Sequence, residues 1–598
     1  MIQTRYAVNQ YPIQILLSWV QAGEISIPEI QRPFVWRSSQ VRDLMDSLYK
    51  GYPIGYLIAW RNPSVRLKTG ESSVGKKILI DGQQRITALM AAVLGHSVLD
   101  KHYKRTDIRI AFNPLEEKFE VTNPAIRKDV TWFPDIFPVL AADARVFDIA
   151  NAYMAKNPDA DQSLVFERIQ NLRSIINNQV GLIELDSNLS IEEVTDIFIR
   201  INSKGTVLSQ ADFVMSKIAA TEEYKGHELR KLIDYFCHLA ILPEDYHTIT
   251  QNDPEFAGSE HFRKIAWLKD EKDDLYDPKY TDVLRVAFVS KFGRGRLRDL
   301  VALLSGRDFE KRTYEESIAE QSFATLMHGV NDYVSKTNFT RFLMILRSAG
   351  LVDKTLIGSI NVVNYAYVIY LLLRDANVPQ GEIETLVRKA YAFNVLTERF
   401  AGNPEGTFDF DIRRIREQGF QSYFNHLQEA ELGEAFWTVA LPQKFSTTVT
   451  SSPFWRLYLA AQAKMGDLGF LSKAITVRDM IIHRGDRHHI FPKNYLKKLG
   501  YKQNMYNQIA NYAITQAEIN IPIGDKAPEV YFRELVEGIK QRHPKYGAIN
   551  SIEELRANLE MNAIPFEILN GGIPSYEEFL EKRRILMAKK LRRYYDSL

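Results

Sequence analysis

Cysteine is almost missing from this sequence of 598 residues, which holds one, Cys237. A single thiol excludes an internal disulfide and any cysteine-rich zinc site. A metal would have to be held by His, Asp, Glu or Asn. Long apolar runs are missing too. No stretch approaches the roughly 20 residues that cross a bilayer, and the opening "MIQTRYAVNQYPIQ" has no signal-peptide core. No membrane partner is expected, and the chain reads as intracellular. An excess of positive over negative groups is missing as well, with 76 Lys/Arg against 74 Asp/Glu. A formal net charge of +2 says little about partners until its distribution is considered.

With 45% hydrophobic and 25% charged residues, the composition is that of a globular protein. The length exceeds what one core organises, and a multidomain α+β architecture in three parts is expected. Residues 1–220 alternate helices with short apolar runs. "SSQVRDLMDSLYKG" carries Val41, Leu44, Met45 and Leu48 at helical spacing, and "GYLIAW", "KKILID", "DIRIAF" and "VGLIELD" suit buried strands. Residues 221–465 form a helical middle, with breaks such as "AGNPEGTFDFD" read as loops and "NYAYVIYLLL" read as core. Residues 466–598 begin at "MGDLGF" and finish on "EKRRILMAKKLRRYY", seven Lys/Arg in fifteen residues. Ser575 and Glu578 make a capping box before that segment, predicting a basic amphipathic helix. It is either a surface helix packed by Ile585, Leu586 and Leu591, or a phosphate-backbone contact through Arg583, Arg584, Lys589 and Lys590.

"KKILIDGQQRITALMAAVLG" reads as strand, tight turn and helix. Asp81, Gly82, Gln83, Gln84 and Arg85 then lie where a strand end meets a helix N-terminus, a place that favours anions. An arginine there can grip a phosphate and an aspartate can hold a hydrated magnesium ion. The plain alternative is a strand–helix turn with Arg85 salt-bridged to Asp81. Nearby "GESSVGKK" falls short of a P-loop, because Lys77 replaces the hydroxyl and a strand follows instead of a helix. "IPEIQRPFVW" adds Gln31 and Arg32. "FIRINSKGTVLS" adds Asn202 in a polar loop, with Ser209 capping the next helix.

The order "IPEIQRPFVW", "IDGQQR", "FIRINSKGTVLS" resembles the N-terminal domain of GmrSD-type modification-dependent restriction enzymes, over roughly residues 10–220. The resemblance implies a ParB/sulfiredoxin-like domain that binds and hydrolyses a nucleoside triphosphate (GTP, UTP, CTP or ATP). Its pocket would be lined by Asp81, Gly82, Gln83, Gln84 and Arg85, with Gln31, Arg32 and Asn202 nearby. Relatives of the SspE kind use this part of the domain to read phosphorothioate DNA. The family often has an aromatic residue where this chain has Ile30.

"DRHHIFPKNYL" is the second unusual stretch in a chain of twelve histidines. Alone, a histidine pair is polar surface. Asn511 follows His489 by 22 residues, on an apolar stretch suited to a strand, and Asn520 stands nine further on, where a helix would run. This order resembles an HNH (His-Me finger) nuclease with its ββα-metal frame, over about residues 480–535. The resemblance implies His489 as general base, Asn511 orienting the loop that carries it, and His488 with Asn520 holding one Mg2+ or Mn2+ ion. Asp486 is an alternative ligand, since carboxylates suit hard ions. Lys526 and, more weakly, Lys493 are phosphate-contact candidates.

Together these readings predict a metal-dependent DNA endonuclease of the type IV-like, modification-dependent class, regulated by NTP and acting on modified phage DNA in a prokaryotic cytoplasm. One HNH site cuts one strand, so a double-strand break would need a homodimer or two encounters. The alternatives are an NTP-dependent DNA-binding regulator that does not cut, a nickase, or an RNase.

Overall fold

The computed structural model describes residues 5–26, 34, 36–61, 77–100, 104–189, 193, 197, 209–221, 223–483, 485–572 and 575–598. Gln31, Arg32, Asn202 and most of the "GESSVGKK" loop lie outside them. The chain forms two compact units: Met1–Glu271 with Leu297–Met327, and Lys272–Arg296 with His328–Leu598. The architecture is mixed α+β and multidomain, dominated by helix, with small sheets. Among the described residues no helix is long and apolar enough to cross a membrane.

The first unit is organised by a five-stranded sheet. Its strands are β1 (Tyr6–Pro12), β2 (Ile25–Ser26), β3 (Leu57–Arg61), β4 (Lys77–Asp81) and β5 (Gln179–Leu185), in spatial order β1-β5-β3-β4-β2. The β1/β5 and β3/β4 pairs are antiparallel, and β5/β3 and β4/β2 are parallel. Helix α1 (Ile13–Gln21) buries Ile13, Leu16, Leu17 and Val20, and α2 (Ser38–Tyr49) buries Val41, Leu44, Met45 and Leu48. Both sets follow the i, i+3, i+4, i+7 stripe, and each such side chain contributes about 1.5–3 kcal/mol on leaving water. "DIRIAF" supplies a separate short strand, Ile110–Asn113, paired with Lys118–Val121. Ser209 caps the helix Gln210–Ala220 and shares a capping box with Asp212.

Two helices of the second unit are instructive. In α4 (Ile360–Asp375) every residue from Val362 to Leu371 is buried, so "NYAYVIYLLL" is core. Its one polar intruder, Asn364, is satisfied on both sides. Asn364 Nδ2 donates to Asp282 Oδ1 at 2.8 Å and Tyr276 Oη donates to Asn364 Oδ1 at 2.8 Å. The loop expected over "AGNPEGTFDFD" is instead the start of α5 (Pro404–Gln418). Asn403 caps Gly406 N at 3.1 Å and Pro404 takes the first helical turn, a start signal that the breaker residues conceal.

Candidate active site

In the second unit, β6 (Asp486–His489) pairs antiparallel with β7 (Tyr512–Thr515), setting His488 opposite Ala513 and His489 opposite Tyr512. Helix α6 (Ala517–Ile523) follows directly. The result is a ββα unit closed by buried Ile490, Leu496, Ile509, Ile514, Ile519 and Ile523. Backbone links anchor it: Phe470 N donates to Ile514 O at 2.7 Å, and Tyr531 Oη donates to Ile490 O at 2.8 Å.

Neighbouring strand residues face opposite sides, and the histidine pair obeys this. His488 is 2% exposed and stacks on Phe470, with ring centres 5.5 Å apart. His489 is half-buried and sits edge-on to Tyr512 at 4.8 Å. Burial pushes the His488 imidazole down to about 4 and also lowers His489, against an opposing hydrogen bond in each case. Both rings are therefore neutral at pH 7, the state a metal ligand and a proton acceptor need.

The two asparagines that the spacing singled out act differently. Asn520, on α6, places Oδ1 2.6 Å from His488 Nδ1. Asn511 is fully buried and clamps the turn after β6. Its Oδ1 accepts from Phe491 N at 2.9 Å, and its Nδ2 donates to Phe491 O at 3.0 Å and Tyr506 O at 3.1 Å. Asn507 is a residue that sequence reasoning missed, and its Oδ1 lies 3.1 Å from His489 Nε2. "QNMYNQIAN" offers three asparagines, and spacing alone has no means of choosing Asn507.

The donor set fits a divalent ion. His488 Nδ1 and Asn520 Oδ1 converge, and His488 Nε2, on the far side of the ring, is buried without a hydrogen-bond partner among the described residues. Whichever ring nitrogen carries the proton, one polar atom is left over, and such an atom is costly in a dry site. A nitrogen and an amide oxygen occupy few positions around an ion and leave the others open. Among the described residues no group of three His, Cys, Asp or Glu side chains gathers for a metal. Asp486 contributes backbone to β6, and its side chain lies outside the described set.

The basic candidates divide sharply. Arg583 is 1% exposed, donates to Ala510 O at 2.7 Å and Asn562 O at 3.3 Å, and is pushed down to about 10 by burial. Lys590 is buried against Asp467 at 2.6 Å. Neither can touch DNA, which corrects the expectation for both. They lie on the stripe of helix α7 (Tyr576–Asp596) that includes Met587, Leu591 and Tyr594 and faces the core. Arg584 is half-buried on Gln508 Oε1 at 3.2 Å, whereas Lys589 is exposed. Lys526 is held by Glu534 at 2.8 Å and by Tyr546 at 2.7 Å, and Lys493 lies 5.9 Å from the Tyr506 ring.

In the first unit the Asp-Gly turn joins β4 to α3 (Gln83–Leu94) as the sequence suggests. Gly82 has φ +92°, and a Cβ there would strike Leu57. Arg85 Nη2 pairs with Asp81 Oδ2 at 3.0 Å, and Nη1 donates to Ile54 O and Tyr56 O, both at 3.0 Å. Gly55, also missed in the sequence, makes room: a Cβ there would lie 2.6 Å from Arg85 Nη1. Gln83 is buried and donates to Leu79 O at 2.8 Å. Gln84 sits half-buried on the first turn of the helix. The salt-bridged turn is thus the arrangement observed.

Comparison with known proteins adds the following. Residues 14–219 match the N-terminal domain family of the GmrSD restriction endonuclease. A protein of Methanocaldococcus jannaschii described as uncharacterized is 20% identical over 624 aligned positions, covering 95% of this chain and 96% of its own length. The ββα unit lies outside the matched family segment. Through that match, residues 14–219 are similar to the N-terminal domain of GmrSD-type restriction endonucleases.

Proposed function

We propose that the protein is a DNA endonuclease of the modification-dependent, type IV-like class, with an HNH site at His488, His489, Asn511 and Asn520. The convergence of His488 and Asn520 beside a neutral His489 carries this reading. His489 takes the proton of the attacking water, and Asn507 fixes the ring by binding Nε2. Asn511 keeps the turn behind the base rigid through its three hydrogen bonds. His488 and Asn520 would hold one Mg2+ or Mn2+ ion, which supplies charge stabilisation at the scissile phosphate when bound.

The N-terminal match and the β4–α3 turn support a nucleotide-binding role for the first 220 residues, with a helical middle over 221–465 and the nuclease over 466–598. Nucleotide binding there would require Arg85 to exchange its bond to Asp81 for a phosphate. NTP turnover would then license cleavage of modified phage DNA, keeping the cutter off the cell's own genome.

A cleavage assay tests the reading. The full chain is incubated with unmodified, glucosylated, hydroxymethylated and phosphorothioated DNA, with Mg2+ or Mn2+, with and without each NTP, beside His489→Ala. Cutting of a modified substrate that disappears in the variant supports it. NTP hydrolysis with every DNA intact replaces it with a DNA-binding switch.

A further inference from the structure

We propose that a groove along helix α7 binds a single strand of DNA, stacking one unpaired base on Phe566 and holding phosphates on Lys582, Lys589, Arg592 and Arg593. The groove has a volume of about 720 Å³. Phe566 is 44% exposed and Ile585 is 40% exposed. These two side chains form an apolar surface left open above buried Ile564. An exposed aromatic between cations is the chemistry that holds an unstacked base, since every base has a face to stack and a phosphate on either side. A duplex presents no free base face to such a groove.

Charge favours a polyanion over an acidic or apolar peptide, because four cations line the groove against Glu560 and Glu567. Lys589 forms no ion pair among the described residues. Arg593 meets Glu560 at 3.2 Å, Lys582 meets Glu578 at 3.0 Å and Glu567 at 3.5 Å, and Arg592 meets Glu434. Exposed pairs of this kind are weak and exchange readily for phosphate. The helix also ties the groove to the ββα unit. Lys582, Ile585, Lys589 and Arg592 follow one face, while Arg583 on another face holds Ala510 O, next to Asn511. A strand seated here lies on the helix that braces the cutting motif. The proposal deepens the nuclease reading, but binding is measurable without cutting.

The test uses the full chain in EDTA, a short labelled oligo-thymidine, and fluorescence anisotropy over a range of salt. Lys589→Glu should lower affinity at least about fivefold and flatten the slope of log K against log salt by about 0.7. Phe566→Leu, which keeps the apolar volume, should lower it about five- to a hundredfold, and Phe566→Trp should retain it. Binding is read in EDTA, where metal-dependent cutting does not occur, so loss of cutting and loss of binding are read separately. Unchanged affinity in Phe566→Leu would overturn the proposal, even if Lys589→Glu weakens binding. Tighter binding of duplex or of free NTP, or self-association blocked by the same substitutions, would overturn it too.

Discussion

The turn at Asp81 and the pair at His488 are both polar clusters on a strand-to-helix frame, yet they spend their hydrogen bonds in opposite ways. Around Arg85 the groups named above are turned inward: one carboxylate, two carbonyls and the glycine at position 55 together fit the guanidinium. Around His488 the count does not close, for among the described residues one buried ring nitrogen is left without a partner while Asn520 meets the other. A closed cluster holds a fold together, and a ligand must break it open. An open cluster in a dry site is where a ligand supplies what is missing. The comparison therefore separates a turn whose donors are used up from a site with a buried ring nitrogen to spare, and an ion held between His488 Nδ1 and Asn520 Oδ1 would displace the bond between them, as a phosphate would at Arg85.

The largest effect expected is on the open site. His489→Ala should reduce DNA cleavage by about two to four orders of magnitude, the usual contribution of a positioned base. NTP hydrolysis should be unchanged, which separates the two clusters. Cleavage at the wild-type rate would remove His489 from the chemistry. Asn507→Ala, which takes away only the bond to Nε2, should cost less, and should lower kcat more than it raises KM. An effect confined to KM would make Asn507 a substrate contact instead.

The next effect is structural and lies behind the same site. Asn511→Ala strands Phe491 N and two carbonyls in the core, and each buried group left unsatisfied costs about 1–3 kcal/mol. Thermal denaturation should show a clear loss, and Asn511→Asp, which sets a buried carboxylate oxygen against two carbonyl acceptors, one at least as large. An unshifted melting temperature in the alanine variant would mean that the turn is held by other contacts.

The closed cluster gives the matching experiment. Arg85→Ala should destabilise the first unit by about 1–3 kcal/mol, because two carbonyls and a carboxylate lose their donor. It should also lower nucleotide turnover. Arg85→Lys keeps the charge but loses the fork that spans three acceptors. Normal turnover in both variants, with stability reduced, would leave the cluster a purely structural turn.

These experiments also mark where the sequence was legible. Buried strands, the β4–Gly82–α3 turn and the α2 stripe follow from period and glycine placement, which are local properties. The His–Asn–Asn order was legible through its resemblance to the HNH pattern, and the structure shows a β6/β7 hairpin followed by α6 there. Asn507 and Gly55 were not, because each matters only through a side chain brought to it by the fold. The basic helix misled for a related reason. Seven cations spread over α7 look alike in sequence, and only packing reveals that Arg583 and Lys590 point into the core while Lys589 stays out. The helix at Pro404 hid behind an Asn-Pro pair, which starts helices as readily as it ends them.

The smallest effect is electrostatic and refines the boundary between open and closed. Lys526, a phosphate candidate, is held by Glu534 together with Tyr546, and Lys545 joins them at 2.9 Å. The Lys526 hydrogen bond, with Tyr546 and Lys545 behind it, depresses the Glu534 carboxyl from its usual 4.5 to about 2. A depressed carboxyl stabilises the fold above its unfolded pKa, and that stability drains away as pH falls from about 4.5 towards 2. For a partly exposed cluster the loss should be about 1 kcal/mol or less. Glu534→Gln should flatten that acid limb in a melting profile while freeing Lys526. If Lys526 reaches DNA, the variant should also bind it more tightly and with a steeper salt dependence. A flattened limb with unaltered DNA affinity would place Lys526 among the closed, structural cations, beside Arg583.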